Sequence, residues 1–240
     1  MIQDRRFAFV FRLCSFLFAA IGLMNHMGVF RGVFLPGTLM YYTIQSNLLA
    51  VIFFGVLVVR TAEGLREGPR GNAGWYPRLG MIVAIDLLLT FLVFWVLLMP
   101  QGLSPSYLFS FDNIAVHTVT PLLCILDYVL FSQPRSLKYR DVYYTSIFPF
   151  CYVLFSCIAG LAGYVYRYTG GAGSNILEST PVRFPYFFLD FDSLGIMTFA
   201  YIGFIFVIFI LLSHLIFYID QKVRKPKVEG PASSSESLSS

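Results

Sequence analysis

The sequence predicts an all-α polytopic membrane protein, a bundle of six transmembrane helices with both termini cytoplasmic. Three observations carry this reading. Of the 240 residues, 57% are hydrophobic and 12% are charged, against about 25% charged in a soluble domain. Mean hydropathy is +0.71, more apolar surface than a water-soluble fold can hide, so the solvent is lipid. The apolar residues also fall into six runs, each near the ~20 residues that span a bilayer, and Lys and Arg are divided unevenly among the segments between them.

The runs are Phe7–Phe30, Met40–Val59, Leu79–Leu98, Asn113–Phe131, Tyr144–Tyr166 and Leu194–Ile219. The first is too long for the apolar part of a signal peptide, and no small-residue cleavage pattern follows it, so it reads as a permanent helix. The longest outward connection is Tyr168–Ser193. Gly170, Gly171, Gly173, Pro181 and Pro185 make it irregular. Its aromatic half, Phe184–Asp192, is expected either to lie against the membrane or to cap the bundle. Residues 1–221 therefore form one six-helix transmembrane domain. Residues 222–240 read as a cytoplasmic tail, basic at first and suited to anionic lipid, then Ser-rich and disordered.

Orientation follows from short-loop Lys and Arg. Thirteen basic residues lie on the side of the N-terminus: Arg5, Arg6, Arg60, Arg66, Arg70, Arg78, Arg135, Lys138, Arg140, Lys222, Arg224, Lys225 and Lys227. Three, Arg31, Arg167 and Arg183, lie on the other side, and Arg12 is inside the first helix. This distribution shows no nucleic-acid signature. Cys14, Cys124, Cys151 and Cys157 all fall in apolar runs without a CxxC pair, and the three histidines have no nearby Cys or Glu, so neither a metal centre nor a disulfide framework is expected. No cofactor is expected either.

Polar groups inside a bilayer are costly and face the bundle interior or a cavity. They sort by depth. In the outer layer, Thr43, Ser46 and Asn47 share a face of the second helix at i, i+3, i+4, and Asn113, His117 and Thr120 share one on the fourth at i, i+4, i+7. Two polar faces at one depth are expected to meet. A threonine hydroxyl beside an imidazole makes a nucleophile and its base, while the plainer reading is hydroxyl-to-carbonyl and interhelical bonding. Asn47 and Asn113, with Ser46 in support, suit either oxyanion donation or interhelical bonding, and a backbone amide near a helix start is the other oxyanion donor on offer. Asp112, Asp190 and Asp192 lie on the side where they would orient the imidazole. The inner layer, Arg12, Asp86 and Asp127, reads as a structural ion-pair cluster.

The stretch Tyr41-Tyr42-Thr43-Ile44-Gln45-Ser46-Asn47-Leu48-Leu49 resembles the second-helix signature of the androgen-induced-gene family of six-helix membrane threonine hydrolases. His117-Thr118-Val119-Thr120-Pro121, continuing to Asp127-Tyr128, is similar to its fourth-helix signature. Phe184-Pro185-Tyr186-Phe187-Phe188-Leu189-Asp190 is similar to the aromatic-proline-acid motif after its fifth helix. The resemblance spans the bundle in the same order, leaves out the tail, and is nearest to the microbial branch. It implies hydrolysis of fatty acid esters of hydroxy fatty acids, with Thr43 as nucleophile and His117 as base. The wording around the threonine and the glycine-rich outer loop depart from the family, which points to a different acyl ester or a lost activity. The expected partner is a long-chain fatty acyl ester in the bilayer. The competing classes are a non-catalytic lipid-binding or carrier protein, a lipid acyltransferase, a proton-coupled transporter leaning on the inner charges and, least favoured, a channel.

Overall fold

Asp4 opens the first helix. Its carboxylate accepts from the backbone N–H groups of Arg6 (2.8 Å) and Phe7 (3.0 Å), two donors that a helix leaves unpaired in its first turn. In the computed structural model, which describes residues 1–169 and 180–223, six helices are long and apolar enough to cross a membrane. They are α1 (Arg5–His26), α2 (Tyr42–Arg66), α3 (Pro77–Gln101), α4 (Phe111–Phe131), α5 (Asp141–Leu161) and α6 (Met197–Lys222). Their number and order match the six apolar runs. Two short strands between α5 and α6, β1 (Arg167–Thr169) and β2 (Thr180–Val182), pair antiparallel. The expected irregularity at Gly170, Gly171 and Gly173 lies outside the described residues, as does the Ser-rich tail.

The helix ends differ from the apolar runs for local reasons. α1 stops earlier because Gly28 turns left-handed at φ +80°. α2 runs on past Val59 because its polar end has partners: Arg60 pairs with Glu63 at 3.0 Å, and Arg12 donates to the Thr61 hydroxyl at 2.8 Å. α6 begins only after Gly195, whose φ is +53°.

Long-range bonds gather both ends of the described chain at one end of the bundle. The Ile2 N–H donates to the Leu130 carbonyl (2.8 Å), the Arg5 N–H to Pro69 (2.9 Å), and the Arg135 guanidinium to Gln221 (3.1 Å). The connections after α1, α3 and α5 occupy the opposite, or far, end. Burial is greatest along α3 and α4, where half of the most apolar window is enclosed, and least along α6, at 11%. α6 is apolar all round and sits at the periphery, as a helix can when lipid replaces water.

The inner charged layer is smaller than expected. Arg12 and Asp127 form a buried, two-pronged ion pair (2.7 and 3.2 Å), and Arg12 also donates to the Ala73 carbonyl at 2.8 Å. Phe131 and Trp75 flank the guanidinium at 4.9 and 5.6 Å. Asp86 is not part of this cluster. It accepts from the Tyr42 phenol at 3.1 Å, because its face of α3 is turned to the start of α2 rather than to α1.

Of the two readings for Phe184–Asp192, the structure takes the cap. Phe184, Phe188 and Leu189 are buried in the principal core. Phe184 seats against Gly160 on α5, where a β-carbon would stand 2.5 Å from the ring and 2.7 Å from the Arg183 carbonyl. Gly160→Ala should therefore lift this segment and lower unfolding stability by about 1–3 kcal/mol, the usual cost of overpacking. Thermal unfolding in detergent micelles checks it; an unchanged midpoint would mean the cap is not held there.

Candidate functional site

Two prolines shape the far end of the bundle. Pro121 has no N–H to offer the carbonyl of His117 four residues earlier. There, across Ala115–Val119, α4 widens into a π-helical turn. α3 does the same across Val93–Leu98, next to Pro100. Such turns are rare and concentrate at functional sites. The two face each other: the Phe94 ring stacks on the His117 imidazole with centroids 4.0 Å apart and planes 23° apart. Beside them the Trp95 indole donates to the Thr118 hydroxyl at 3.0 Å.

Thr43 enters from α2. It is the second residue of that helix, so its backbone N–H belongs to the first turn, which has no intrahelical acceptor. Its hydroxyl oxygen lies 3.3 Å from His117 Nε2. The other ring nitrogen, Nδ1, lies 3.1 Å from the Asn113 carbonyl oxygen, which can only accept. The proton of a neutral imidazole therefore sits on Nδ1, and Nε2 is free to accept from the Thr43 hydroxyl. Both side chains are buried.

The surrounding polar residues do other work than some of the sequence expectations assigned them. Asn47 spends both amide hydrogens on backbone carbonyls, Thr43 (2.7 Å) and Val116 (2.9 Å), tying α2 to α4. Ser46 contacts the Thr43 carbonyl (3.1 Å) and the Thr90 hydroxyl (2.9 Å), tying α2 to α3. The Asn113 amide donates back to Leu108 (3.0 Å), and what reaches the imidazole is its main-chain carbonyl. These side chains brace the pair, and none presents a free donor toward it.

The carboxylates expected to orient His117 are engaged elsewhere. Asp190 caps the turn Phe191–Leu194, accepting from the backbone N–H groups of Asp192 and Ser193. Asp192 pairs with Arg183 on the surface, which holds its carboxyl below the usual carboxylate range. Asp112 stands 3.6 Å from His26 Nδ1 and 4.0 Å from Arg31. Only through His26, whose ring meets that of His117 edge-on at 6.1 Å, does Asp112 approach the site. A backbone carbonyl takes the orienting place, four residues before His117 on the same helix, as the Ile210 carbonyl does for His214.

Two cavities meet at Thr43. A vestibule of about 420 Å³ is lined by Thr43, His117, His26, Tyr41, Tyr107 and Arg167, among others. Its size falls in the range of small-molecule sites. Behind it lies a narrow apolar pocket of about 60 Å³ between α3, α5 and α6, lined by Leu89, Val93, Val153, Ile205 and Phe206. Thr43, Phe94, Leu98 and Tyr186 line both.

Tyr186 is the residue that reading the sequence missed. It arrives on the cap, stacked on Phe188 at 5.1 Å. Its side chain lines both cavities beside Thr43, and its phenol is within electrostatic reach of the hydroxyl and backbone N–H of Thr43 and of Tyr152. Burial raises its pKa to about 12, so it remains a neutral O–H donor. Its one signal in the sequence was its place in the aromatic motif after the fifth apolar run.

The fold and site define a six-helix membrane bundle with a buried threonine–histidine pair between a polar vestibule and an apolar pocket. Protein-family models, curated proteins and solved structures give no match to this chain.

Proposed function

We propose that this protein is an intramembrane lipid-ester hydrolase, with Thr43 as nucleophile and His117 as base, acting on fatty acid esters of hydroxy fatty acids or similar acyl esters. The observation that carries the proposal is the 3.3 Å approach of the Thr43 hydroxyl to an imidazole nitrogen whose tautomer leaves it free to accept. A lipid carrier needs no such pair. Its hydroxyl and ring nitrogen lie near the ~2.6–3.2 Å reach expected of a nucleophile and its base, which is often looser without substrate.

The chemistry runs in two halves. The Thr43 oxygen attacks the ester carbonyl carbon while its proton passes to His117 Nε2. Collapse of the tetrahedral intermediate breaks the bond to the alcohol oxygen, which takes the proton from His117. Water then attacks the acyl-threonine, giving one proton to His117. That proton returns to the Thr43 oxygen as the fatty acid leaves. Throughout, the Asn113 carbonyl holds Nδ1–H and Phe94 holds the ring plane.

The cavities suit such a substrate. The apolar pocket of about 60 Å³ takes only the carbons next to the ester, so a long acyl chain must extend beyond it between the apolar helix faces. The vestibule, where Arg167 supplies a cation, suits a hydroxy fatty acid with its free carboxylate. The ten basic residues among the described ones at the end holding the termini support cytoplasmic termini and a site near the opposite membrane surface.

The test is turnover by the purified protein in phosphatidylcholine vesicles. Release of free fatty acid, lost in His117→Gln, is the expected result. Acyl groups appearing on an added hydroxylated lipid instead would make it an acyltransferase. Stoichiometric binding without turnover would make it a carrier.

A further inference from the structure

We infer that Tyr186 is a further catalytic residue of this site, its phenol O–H joining the Thr43 backbone N–H to hold the ester's carbonyl oxygen as it becomes an oxyanion. The inference rests on the hydrolase reading and extends it to a group for which the site otherwise lacks a candidate. Attack by a hydroxyl on an ester puts a full negative charge on the carbonyl oxygen, and in a dry site that charge needs donors already in place. The side-chain amides of Asn47 and Asn113 are committed to backbone carbonyls. Ser46 is committed to Thr43 and Thr90.

Two further donors stand beside the nucleophile. One is the Thr43 N–H itself, in the first turn of α2, where it has no acceptor along the helix. The other is Tyr186. Its side chain forms part of the wall that vestibule and pocket share beside Thr43, with the phenol within electrostatic reach of the Thr43 amide and hydroxyl. It is held from several sides. Phe188 stacks on it at 5.1 Å with planes 6° apart, Tyr41 meets it edge-on at 6.2 Å, and Tyr152 lies 6.4 Å away. Two of these neighbours belong to other parts of the chain, Tyr152 to α5 and Tyr41 to the residue before α2, so the phenol is fixed relative to Thr43 by the fold rather than by its own loop.

In the step, the bond from the Thr43 oxygen to the carbonyl carbon forms and the carbonyl π pair moves to its oxygen. The Thr43 proton goes to His117 Nε2. Tyr186 donates a hydrogen bond to the new oxyanion and keeps its proton. When the carbonyl reforms, that bond weakens and the alcohol leaves.

The test compares wild type with Tyr186→Phe on an ester and on the matching thionoester, in which sulfur replaces the carbonyl oxygen. Sulfur is a poor hydrogen-bond acceptor, so the ester-to-thionoester rate ratio reads the oxyanion contact directly. Tyr186→Phe should lower kcat on the ester by about 10²-fold or more, the typical effect of one lost oxyanion donor. KM and the unfolding midpoint should change little, and the ester-to-thionoester ratio should fall. The pH profile should keep its shape at reduced height, because the phenol does not ionise below about pH 10, its pKa being raised to about 12. A kcat equal to wild type, or an equal loss on both substrates, would overturn the assignment while leaving Thr43 and His117 as the reacting pair. Absence of turnover in wild type would overturn the hydrolase reading as well.

Discussion

Thr43→Ala should abolish ester hydrolysis, by ~10³-fold or more, while leaving the bundle folded. Removing a nucleophile from a nucleophile–base pair removes the covalent route, and loss of either member costs nearly as much as loss of both. The fold should tolerate the change because the Thr43 backbone is held independently of its side chain: Asn47 and Ser46 both bond its carbonyl, at 2.7 and 3.1 Å. Thr43→Ser keeps a hydroxyl at the position and should retain part of the rate, although its free rotation about χ1 weakens the aim toward His117. Rates on a lipid ester in vesicles, beside far-UV circular dichroism of each variant, separate loss of chemistry from loss of structure. Wild-type turnover by Thr43→Ala would remove Thr43 from the mechanism.

The largest effect on stability should come from the other end of the bundle. Asp127→Asn leaves the Arg12 guanidinium enclosed without its counter-charge, though still bonded to Thr61 and Ala73. Removing one partner of a buried ion pair typically costs about 3–5 kcal/mol. Replacing both, as Arg12→Met with Asp127→Leu, should recover much of that loss, because neither charge then remains buried alone. Asp127 is ten residues beyond His117 on α4, about 15 Å at 1.5 Å per residue, so the folded fraction of Asp127→Asn should hydrolyse at the wild-type rate. Denaturant unfolding in mixed micelles measures the first effect and turnover the second. An unchanged midpoint in Asp127→Asn would deny the pair its structural role. A proton-coupled transporter would instead lose its function with that charge.

The two ends of the molecule were not equally legible. The six spans could be read from the sequence because lipid demands long apolar runs with every backbone group paired internally, a constraint that composition alone reveals. Thr43 and His117 stood out for the related reason that polar groups in such runs require partners. Their common depth followed from counting along each helix. Rotation about the helix axis did not follow from counting. It sends Asp86 to Tyr42 instead of Arg12, and it gives Asn47 two carbonyls to bond. Prolines also carry local geometry that a regular period hides. Pro121 and Pro100 widen α4 and α3 beside the site, and the group under the imidazole is the Asn113 carbonyl rather than one of the acids on that side. Tyr186 lies farthest from the sequence's reach, since its place beside Thr43 depends on Phe184 docking into the space that Gly160 leaves open.

A fluorophosphonate lipid analogue tests the central claim most directly, because phosphorus is attacked by the same activated oxygen and the adduct does not hydrolyse readily. Intact-protein and peptide mass spectrometry should find a single phosphonyl group on the peptide bearing Thr43 in the wild type, and none in Thr43→Ala or His117→Gln. An adduct on any other residue, or unchanged labelling of Thr43 when His117 is replaced, would contradict a threonine activated by that histidine.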